Sequence, residues 1–273
     1  ATHTAGYSNI AIGVDAMADT DAGGTSLGSV NNVFIGRAAG GGAWADAASN
    51  YNVAIGNFVM DAVLNGALNN TAVGHNALTE LTDGDDNTCI GYQAGDGITT
   101  GQQNTGVGSG VTFDVDANNQ TCVGYGATTD SANDIAIGNT SVDEVKGQVD
   151  FTTFSDKRIK KNIKNGDLGL DFINLLKTRK FNKVDPAKYP KSIKTKNDGL
   201  GEWTDAQANK IWDGLIAQEV KSAMDKCNTS YSGWSEGVTS KQAITYSTMV
   251  VPLIKAVQEL SAQVEELKNK LGE

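Results

Sequence analysis

Ser155 and Lys160, set five residues apart in Phe154-Ser155-Asp156-Lys157-Arg158-Ile159-Lys160-Lys161-Asn162-Ile163, are the pair in this chain whose types and spacing offer covalent chemistry. A serine hydroxyl is a poor nucleophile until a base takes its proton. Lysine can be that base once burial or neighbouring cations lower its pKa. Lys157, Arg158 and Lys161 supply such cations. Attack of the Ser155 oxygen on the Phe154 carbonyl would turn the amide into an ester that water hydrolyses, leaving residues 1–154 and 155–273. The step needs fixed, strained geometry at the bond to be cut, which a free chain lacks. The same residues also read as a plain cap, Ser-Asp ahead of a basic turn whose lysines coat a solvated face.

Other reactive residue types carry less. His3 and His75 are the two histidines, and neither has a partner at metal-ligand or triad spacing. Asp83-Gly84-Asp85-Asp86 lacks the twelve-residue frame of a calcium loop and reads as turn carboxylates. No cofactor or metal is expected. Cys89 and Cys122 stand where alanine stands in neighbouring repeats, so they read as small buried residues. With Cys227 the count is odd and no C-x-x-C occurs, which gives a disulfide framework no support. Thirteen Lys and Arg lie between Lys157 and Lys196, but without interleaved aromatics or a groove-binding motif they do not indicate a nucleic-acid partner. A basic surface of this kind suits docking on the acidic part of the chain.

The Ser155 junction divides two bodies of different composition. Residues 1–154 hold two cations, Arg37 and Lys146, against seventeen acids, whereas residues 155–273 hold twenty cations against fifteen acids. Twenty-four of the 32 glycines precede the junction, and all three prolines follow it. The expected organisation is therefore a repeat domain over residues 1–150 and a second domain over residues 151–273.

In the first domain a five-residue phrase recurs eight times: Asn9-Ile-Ala-Ile-Gly13, Asn32-Val-Phe-Ile-Gly36, Asn52-Val-Ala-Ile-Gly56, Asn70-Thr-Ala-Val-Gly74, Asn87-Thr-Cys-Ile-Gly91, Asn104-Thr-Gly-Val-Gly108, Gln120-Thr-Cys-Val-Gly124 and Asp134-Ile-Ala-Ile-Gly138. The closing glycines are 23, 20, 18, 17, 17, 16 and 14 residues apart, room for strands and turns only. In an extended phrase the central small residue faces one way and its branched neighbours the other. The glycine suits a repeated tight corner, and the leading Asn or Asp can bond its own backbone there. The units predict a β-solenoid or roll. A coil with so little bulk is not expected to persist singly, and association of several chains around an axis would bury the branched face.

After the junction the pattern is mixed helix and strand. Leu168 to Leu176 reads as a helix capped by Asp167, and Arg179–Val184 alternates like a strand. Residues 185–210 read as an exposed polar insertion, and Asp213–Val220 runs into a helix reaching Met224. Over residues 247–272 the apolar positions Val250, Leu253, Val257, Leu260, Val264, Leu267 and Leu271 alternate spacings of three and four, the stripe of a parallel coiled coil. Valine alternating with leucine usually favours two strands, but a three-fold shaft upstream would impose three. The fold class expected is thus α+β in two parts: a trimeric all-β solenoid, then a mixed α/β domain ending in a trimeric coiled coil.

Two resemblances add to this. The phrases from about residue 9 to 138 resemble those of trimeric autotransporter adhesin heads and phage fibre shafts. Ser155-Asp-Lys-Arg-Ile-Lys-Lys-Asn-Ile163, Gly169-Leu-Asp-Phe-Ile-Asn-Leu175, Gly214-Leu-Ile-Ala-Gln-Glu-Val220 and Val251-Pro-Leu-Ile-Lys-Ala-Val-Gln-Glu-Leu260 together resemble the intramolecular chaperone domain of phage endosialidases, tail fibres and tailspikes, the peptidase S74 family. The resemblance spans residues 151–273. It implies a domain that trimerises, guides folding of the β-structure before it, and is released by cleavage between Phe154 and Ser155, with Ser155 and Lys160 as the dyad acting once in cis and no turnover enzyme.

Three function classes follow. The first is the distal part of a trimeric phage tail fibre or tailspike, a virion tail component assembled in the host cytoplasm, with a host cell-surface glycan or protein as receptor. The second is a glycan depolymerase, which needs paired carboxylates and aromatic platforms; residues 1–154 offer acids but only Trp44 and a few Phe and Tyr. The third is a bacterial adhesin head. No apolar run approaches membrane-span length and no signal peptide is present, so membrane insertion is not expected. The chain opens on Ala1 and not on Met, as a piece of a longer protein would.

Overall fold

A computed structural model of the chain describes residues 6–20, 28–149, 151–194, 198–199, 203–237 and 240–272. His3 lies outside the described residues. The described chain divides into two compact units, one built on residues up to Val142 and one on Asp143–Lys194 with Trp203 onward.

Each phrase of the first unit forms one three-residue strand: β1 Ile10–Ile12, β2 Val33–Ile35, β3 Val53–Ile55, β4 Thr71–Val73, β5 Thr88–Ile90, β6 Thr105–Val107, β7 Thr121–Val123 and β8 Ile135–Ile137. They pair in sequence order as one parallel sheet, with small slot over small slot at every step: Ala11, Phe34, Ala54, Ala72, Cys89, Gly106, Cys122, Ala136. This is a β-solenoid of one sheet strand per coil. At each step the first strand residue donates its N–H to the carbonyl of the residue that leads the next phrase, as Val53 does to Asn70 at 2.8 Å. The closing Gly donates back, as Gly74 does to Ile55 at 2.8 Å.

The central slot points inward and is fully buried from Phe34 to Cys122. Behind it the coils supply Met17, Trp44, Met60, Leu64, Leu78, Leu81, Ile98 and Val111 as a continuous core. At the wide N-terminal end Phe34 fills the slot and meets Trp44 edge-on at 5.6 Å. The branched flanking positions are half-buried or exposed, the exposed among them Ile12, Ile55, Ile90, Val107, Val123 and Ile137. Gly74 shows why the phrase must close on glycine: its φ is +137°, and a Cβ there would lie 2.2 Å from the carbonyl oxygen of Gly91 in the next coil.

Asparagine does more at the phrase head than bond its own corner. The Oδ1 of each accepts the backbone N–H of the next head residue: Asn9 from Asn32, Asn32 from Asn52, Asn52 from Asn70, Asn70 from Asn87, Asn87 from Asn104, and Asn104 from Gln120, at 2.9–3.1 Å. The amide nitrogens donate to backbone carbonyls of the returning loops, as Asn87 does to Gly101 at 2.8 Å. Heads 32 to 120 are fully buried. A coil repeating at a sheet spacing brings like carboxamides within bonding range, so the ladder forms between coils. The local bond is kept at Asn70, which also donates to Leu68, and at Asp134, which accepts from Ile135.

The second unit contains α1 Leu170–Leu175, β9 Arg179–Phe181, α2 Asp205–Asn209, β10 Trp212–Gly214, α3 Ala217–Lys226, β11 Trp234–Glu236, β12 Gln242–Ile244 and α4 Val250–Leu271. The pairs β9–β10 and β11–β12 are antiparallel. Phe172, Val220, Ala223, Met224, Tyr231 and Met249 form its core, with Phe172 and Tyr231 at 5.8 Å. Asp167 does not cap α1; it accepts the Thr229 hydroxyl at 2.9 Å. The first helical N–H, at Leu170, donates instead to Glu259 Oε2 of α4 at 2.7 Å. Glu259 can come so close because position 169 is glycine, where a Cβ would lie 2.3 Å from that carboxylate. Within the polar stretch 185–210 the described residues include a short 3-10 turn at Pro186–Lys188 and α2, which Thr204 and Gln207 close with a reciprocal capping box. Pro252 sits in the first turn of α4, where its missing N–H breaks no helical bond.

Candidate functional site

Ser155 and Lys160 meet. Asp156 folds the chain between them, its carboxylate accepting the Arg158 N–H at 2.8 Å and so capping a 3-10 turn over Lys157–Ile159. The turn ends at Lys160, whose Nζ donates to Ser155 Oγ at 2.6 Å. This is the contact a nucleophile and its base require. Arg158 turns away from it: its guanidinium grips Asp156 through Nε and Nη2 at 3.1 and 2.7 Å. That grip, with the Arg158 N–H, holds the Asp156 carboxyl below its ordinary range. Of the cations expected around Lys160, Arg158 is therefore neutralised by its own cap.

The site stands in water. Ser155, Lys160 and their neighbours are exposed, and the Phe154 side chain is 89% exposed. The pair is in contact, and in a single chain both members face solvent.

The stripe on α4 is equally uncovered. Val250, Leu253, Val257, Leu260, Val264, Leu267 and Leu271 are exposed by 42 to 75%, whereas Pro252 and Ala256, on another side of the helix, are buried. One side of the helix therefore serves its own unit, through Ala256 and the Glu259 cap, and the stripe is left for something else. Val251 and Ile254 widen the apolar surface of the first turns.

Other candidates are occupied by structural bonds. Asp85 accepts the Leu68 N–H at 2.8 Å, Asp86 the Asn69 amide at 3.1 Å and Asp83 the Thr82 hydroxyl at 3.1 Å. No group of three or more His, Cys, Asp or Glu among the described residues is placed to hold a metal ion. His75 stacks on Tyr92 at 5.7 Å and meets Phe58 edge-on at 5.8 Å. Cys89 and Cys122 are buried free thiols, and burial pushes both up in pKa, most strongly Cys89. Trp44 is fully buried and donates its indole N–H to Gly40 at 2.9 Å. No helix among the described residues is long and apolar enough to cross a membrane.

Sequence reasoning missed the residues that hold the second unit together. Glu219 on α3 accepts from Nε and Nη2 of Arg179 in β9, at 3.0 and 2.5 Å, which holds its carboxyl below the ordinary range. Tyr246 Oη accepts the Leu215 N–H at 2.7 Å, and a Cβ at Gly214 would lie 2.6 Å from that oxygen. The signal was present in the motifs around Gly169 and Gly214, but their glycines were not read as places where a distant polar atom comes close.

No family model matches the chain, and neither a curated protein nor a solved structure matches it.

Proposed function

We propose that the chain is the distal part of a trimeric phage tail fibre or tailspike that attaches to a host surface. In this reading the β-solenoid is the shaft and receptor-binding part. The unit after it is a chaperone that drives trimerisation and folding, then is released by cleavage before Ser155. The observation that carries the reading is the 2.6 Å contact between Lys160 Nζ and Ser155 Oγ, at a junction that follows the solenoid in the sequence. The uncovered stripe of α4 supports the assembly part, since apolar spacings of three and four on an exposed helix face suit a parallel coiled coil.

The reaction runs as follows once Lys160 is a neutral amine. Its lone pair takes the Ser155 hydroxyl proton as Oγ adds to the Phe154 carbonyl carbon. The C–N bond then breaks, the Ser155 nitrogen leaves as an amine carrying the proton returned by Lys160, and an ester joins Phe154 to Oγ. Water, deprotonated by Lys160, adds to the ester and releases the Phe154 carboxyl and the Ser155 hydroxyl. Atoms balance with one water consumed, and the dyad ends as it began.

A glycan depolymerase is the alternative reading, but Trp44, the aromatic best suited to a sugar platform, is enclosed in the core. An adhesin head would leave the second unit without a task.

The test is a denaturing gel of freshly made protein beside Ser155→Ala and Lys160→Ala, with light scattering on each. Two bands from the parent, one from each variant, and a mass of three chains are expected. A single uncut band from the parent would remove self-cleavage, and the mass of a lone chain would remove the assembly.

A further inference from the structure

Asparagine is followed by glycine twice in the sequence, at Asn65–Gly66 and at Asn165–Gly166. That pair carries a reaction of its own. The glycine nitrogen can attack the asparagine carboxamide carbon and close a five-membered succinimide, because glycine has no Cβ to crowd the attack and its backbone turns freely into the geometry required. The fold treats the two pairs oppositely.

Asn65–Gly66 is held on every side. The Asn65 N–H donates to the Thr82 carbonyl at 2.8 Å, and the Asn65 Oδ1 accepts the Ala47 N–H at 3.0 Å. The nitrogen that would attack, at Gly66, donates its hydrogen to Ser49 Oγ at 3.1 Å, and a Cβ on Gly66 would lie 3.2 Å from the Cβ of Ala47. Leu64 and Ala67 on either side are fully buried. Closing the ring there would pull a coil of the solenoid apart. Asn165–Gly166 lies instead in an arm, Asp143 to Asp167, in which every described residue is exposed and the only regular element is the 3-10 turn at Lys157–Ile159. Among the described residues neither Asn165 nor Gly166 has a hydrogen-bond partner, and a Cβ on Gly166 would meet nothing within 4 Å. Nothing there resists the ring.

We propose that Asn165 is a modification site, which converts without an enzyme to a mixture of aspartate and isoaspartate in the folded protein while Asn65 is spared. The Gly166 nitrogen gives up its proton to solvent and bonds to the Asn165 Cγ, and the carboxamide nitrogen takes up a proton and leaves as ammonia. Water then adds to one of the two ring carbonyls and breaks that carbon's bond to the Gly166 nitrogen. Opening at Cγ gives aspartate on the original main chain; opening at the α-carbonyl gives isoaspartate, whose main chain runs through the side-chain carbons. One water is consumed and one ammonia released, with no change of oxidation state. The product sets a carboxylate after the stretch Lys157 to Lys164, whose charged residues are all cations, and the iso form adds a carbon to the main chain that joins the Ser155–Lys160 turn to α1. None of this depends on the assembly reading, since the site lies within residues 155–273 whether or not the chain is cut before Ser155.

The experiment incubates the full chain in mildly alkaline buffer, with and without urea sufficient to unfold the solenoid by circular dichroism. Peptides covering the two pairs are then quantified by mass spectrometry, and isoaspartate is identified by enzymatic carboxyl methylation. In buffer, Asn165 is expected to convert on the order of tenfold or more faster than Asn65, the factor that even one lost hydrogen bond is worth. In urea the two rates should converge. Gly166→Ala, whose new methyl group meets nothing in the fold, should slow conversion at Asn165 by a similar factor while the circular dichroism and the Asn65 rate stay unchanged. Equal rates in buffer would mean that the coil gives Asn65 no protection, and conversion of Asn165 in urea but not in buffer would mean that the arm is held. An Asn65 that stays slow in urea would mean that its sequence, and not the fold, protects it. Each of these three results overturns the proposal.

Discussion

Asp85 occupies a place that asparagine fills in other coils. It accepts the N–H of Leu68, two residues before a phrase head, as Asn50 does from Val30 and Asn118 from Gln102, at 2.7–2.8 Å. A carboxylate serves that bond less well. Burial pushes its pKa up, the Leu68 N–H pulls it down in part, and Asp86 and Asp83 nearby push it further up. A raised carboxyl pKa means that the folded chain holds the ionised form less well than the unfolded chain does. The cost is present at pH values above the folded-state pKa and disappears once both states are protonated. Asp85→Asn keeps the acceptor and removes the charge, so it should stabilise the solenoid at pH 7 by less than about 1 kcal/mol. The gain should fade as the pH falls through the raised folded-state pKa and be gone below about 4, the ordinary aspartate range. Urea unfolding of both proteins across pH checks this; a loss of stability at neutral pH would refute it. The Ser155–Lys160 spacing was legible at the same scale, because five residues across one capped turn is a local matter. That Arg158 would spend its charge on Asp156 was not, since the spacing leaves it equally able to face Lys160.

Among the elements, the solenoid strands are too short to hold themselves and depend on what crosses between coils. The asparagine ladder is one such device. Removing the Asn70 side chain takes from the Asn87 backbone N–H and the Gly84 carbonyl their partners at 2.9 and 2.8 Å, and from the Asn87 amide one of its two bonds, at 3.0 Å, in a fully buried site. At about 1 kcal/mol or more for each orphaned buried group, Asn70→Ala should cost roughly 3 kcal/mol, read as a lowered denaturation midpoint. An exposed asparagine such as Asn57 should cost far less when changed in the same way. The strands and their register were readable from the phrase, because parallel coils stack like on like. The α4 stripe was readable from its spacing. The capping of α1 was not, because Leu170 and Glu259 are 89 residues apart and only packing brings them together.

On the scale of the whole molecule, what is left uncovered says most. The stripe of α4, the arm from Asp143 to Asp167 and the branched edges of the solenoid strands are apolar and exposed in one chain. Acids crowd the first unit, fourteen against the single cation Arg37 up to Val142, and like charges favour an arrangement in which copies meet through uncharged surface. If α4 is where copies join, charges on the stripe should separate them while leaving each unit folded. Leu260→Asp with Leu267→Asp is expected to give the mass of one chain by light scattering, with little change in circular dichroism, and to abolish cleavage. An unchanged mass would mean that the stripe is not the joint.

The eight phrases alone determined where the strands lie, which slot points inward and that the coils stack in register, because a repeat closed by glycine leaves each coil only one way to lie on the next. The heptad stripe and the contact of Ser155 with Lys160 are local in the same sense. Only the tertiary structure decided that the head asparagines bond across coils, that Glu259 caps α1 through the space left by Gly169, and that the arm around Phe154 finds no cover in its own chain. Each of these depends on which distant atoms come within about 3 Å of one another, and spacing along a chain does not specify that.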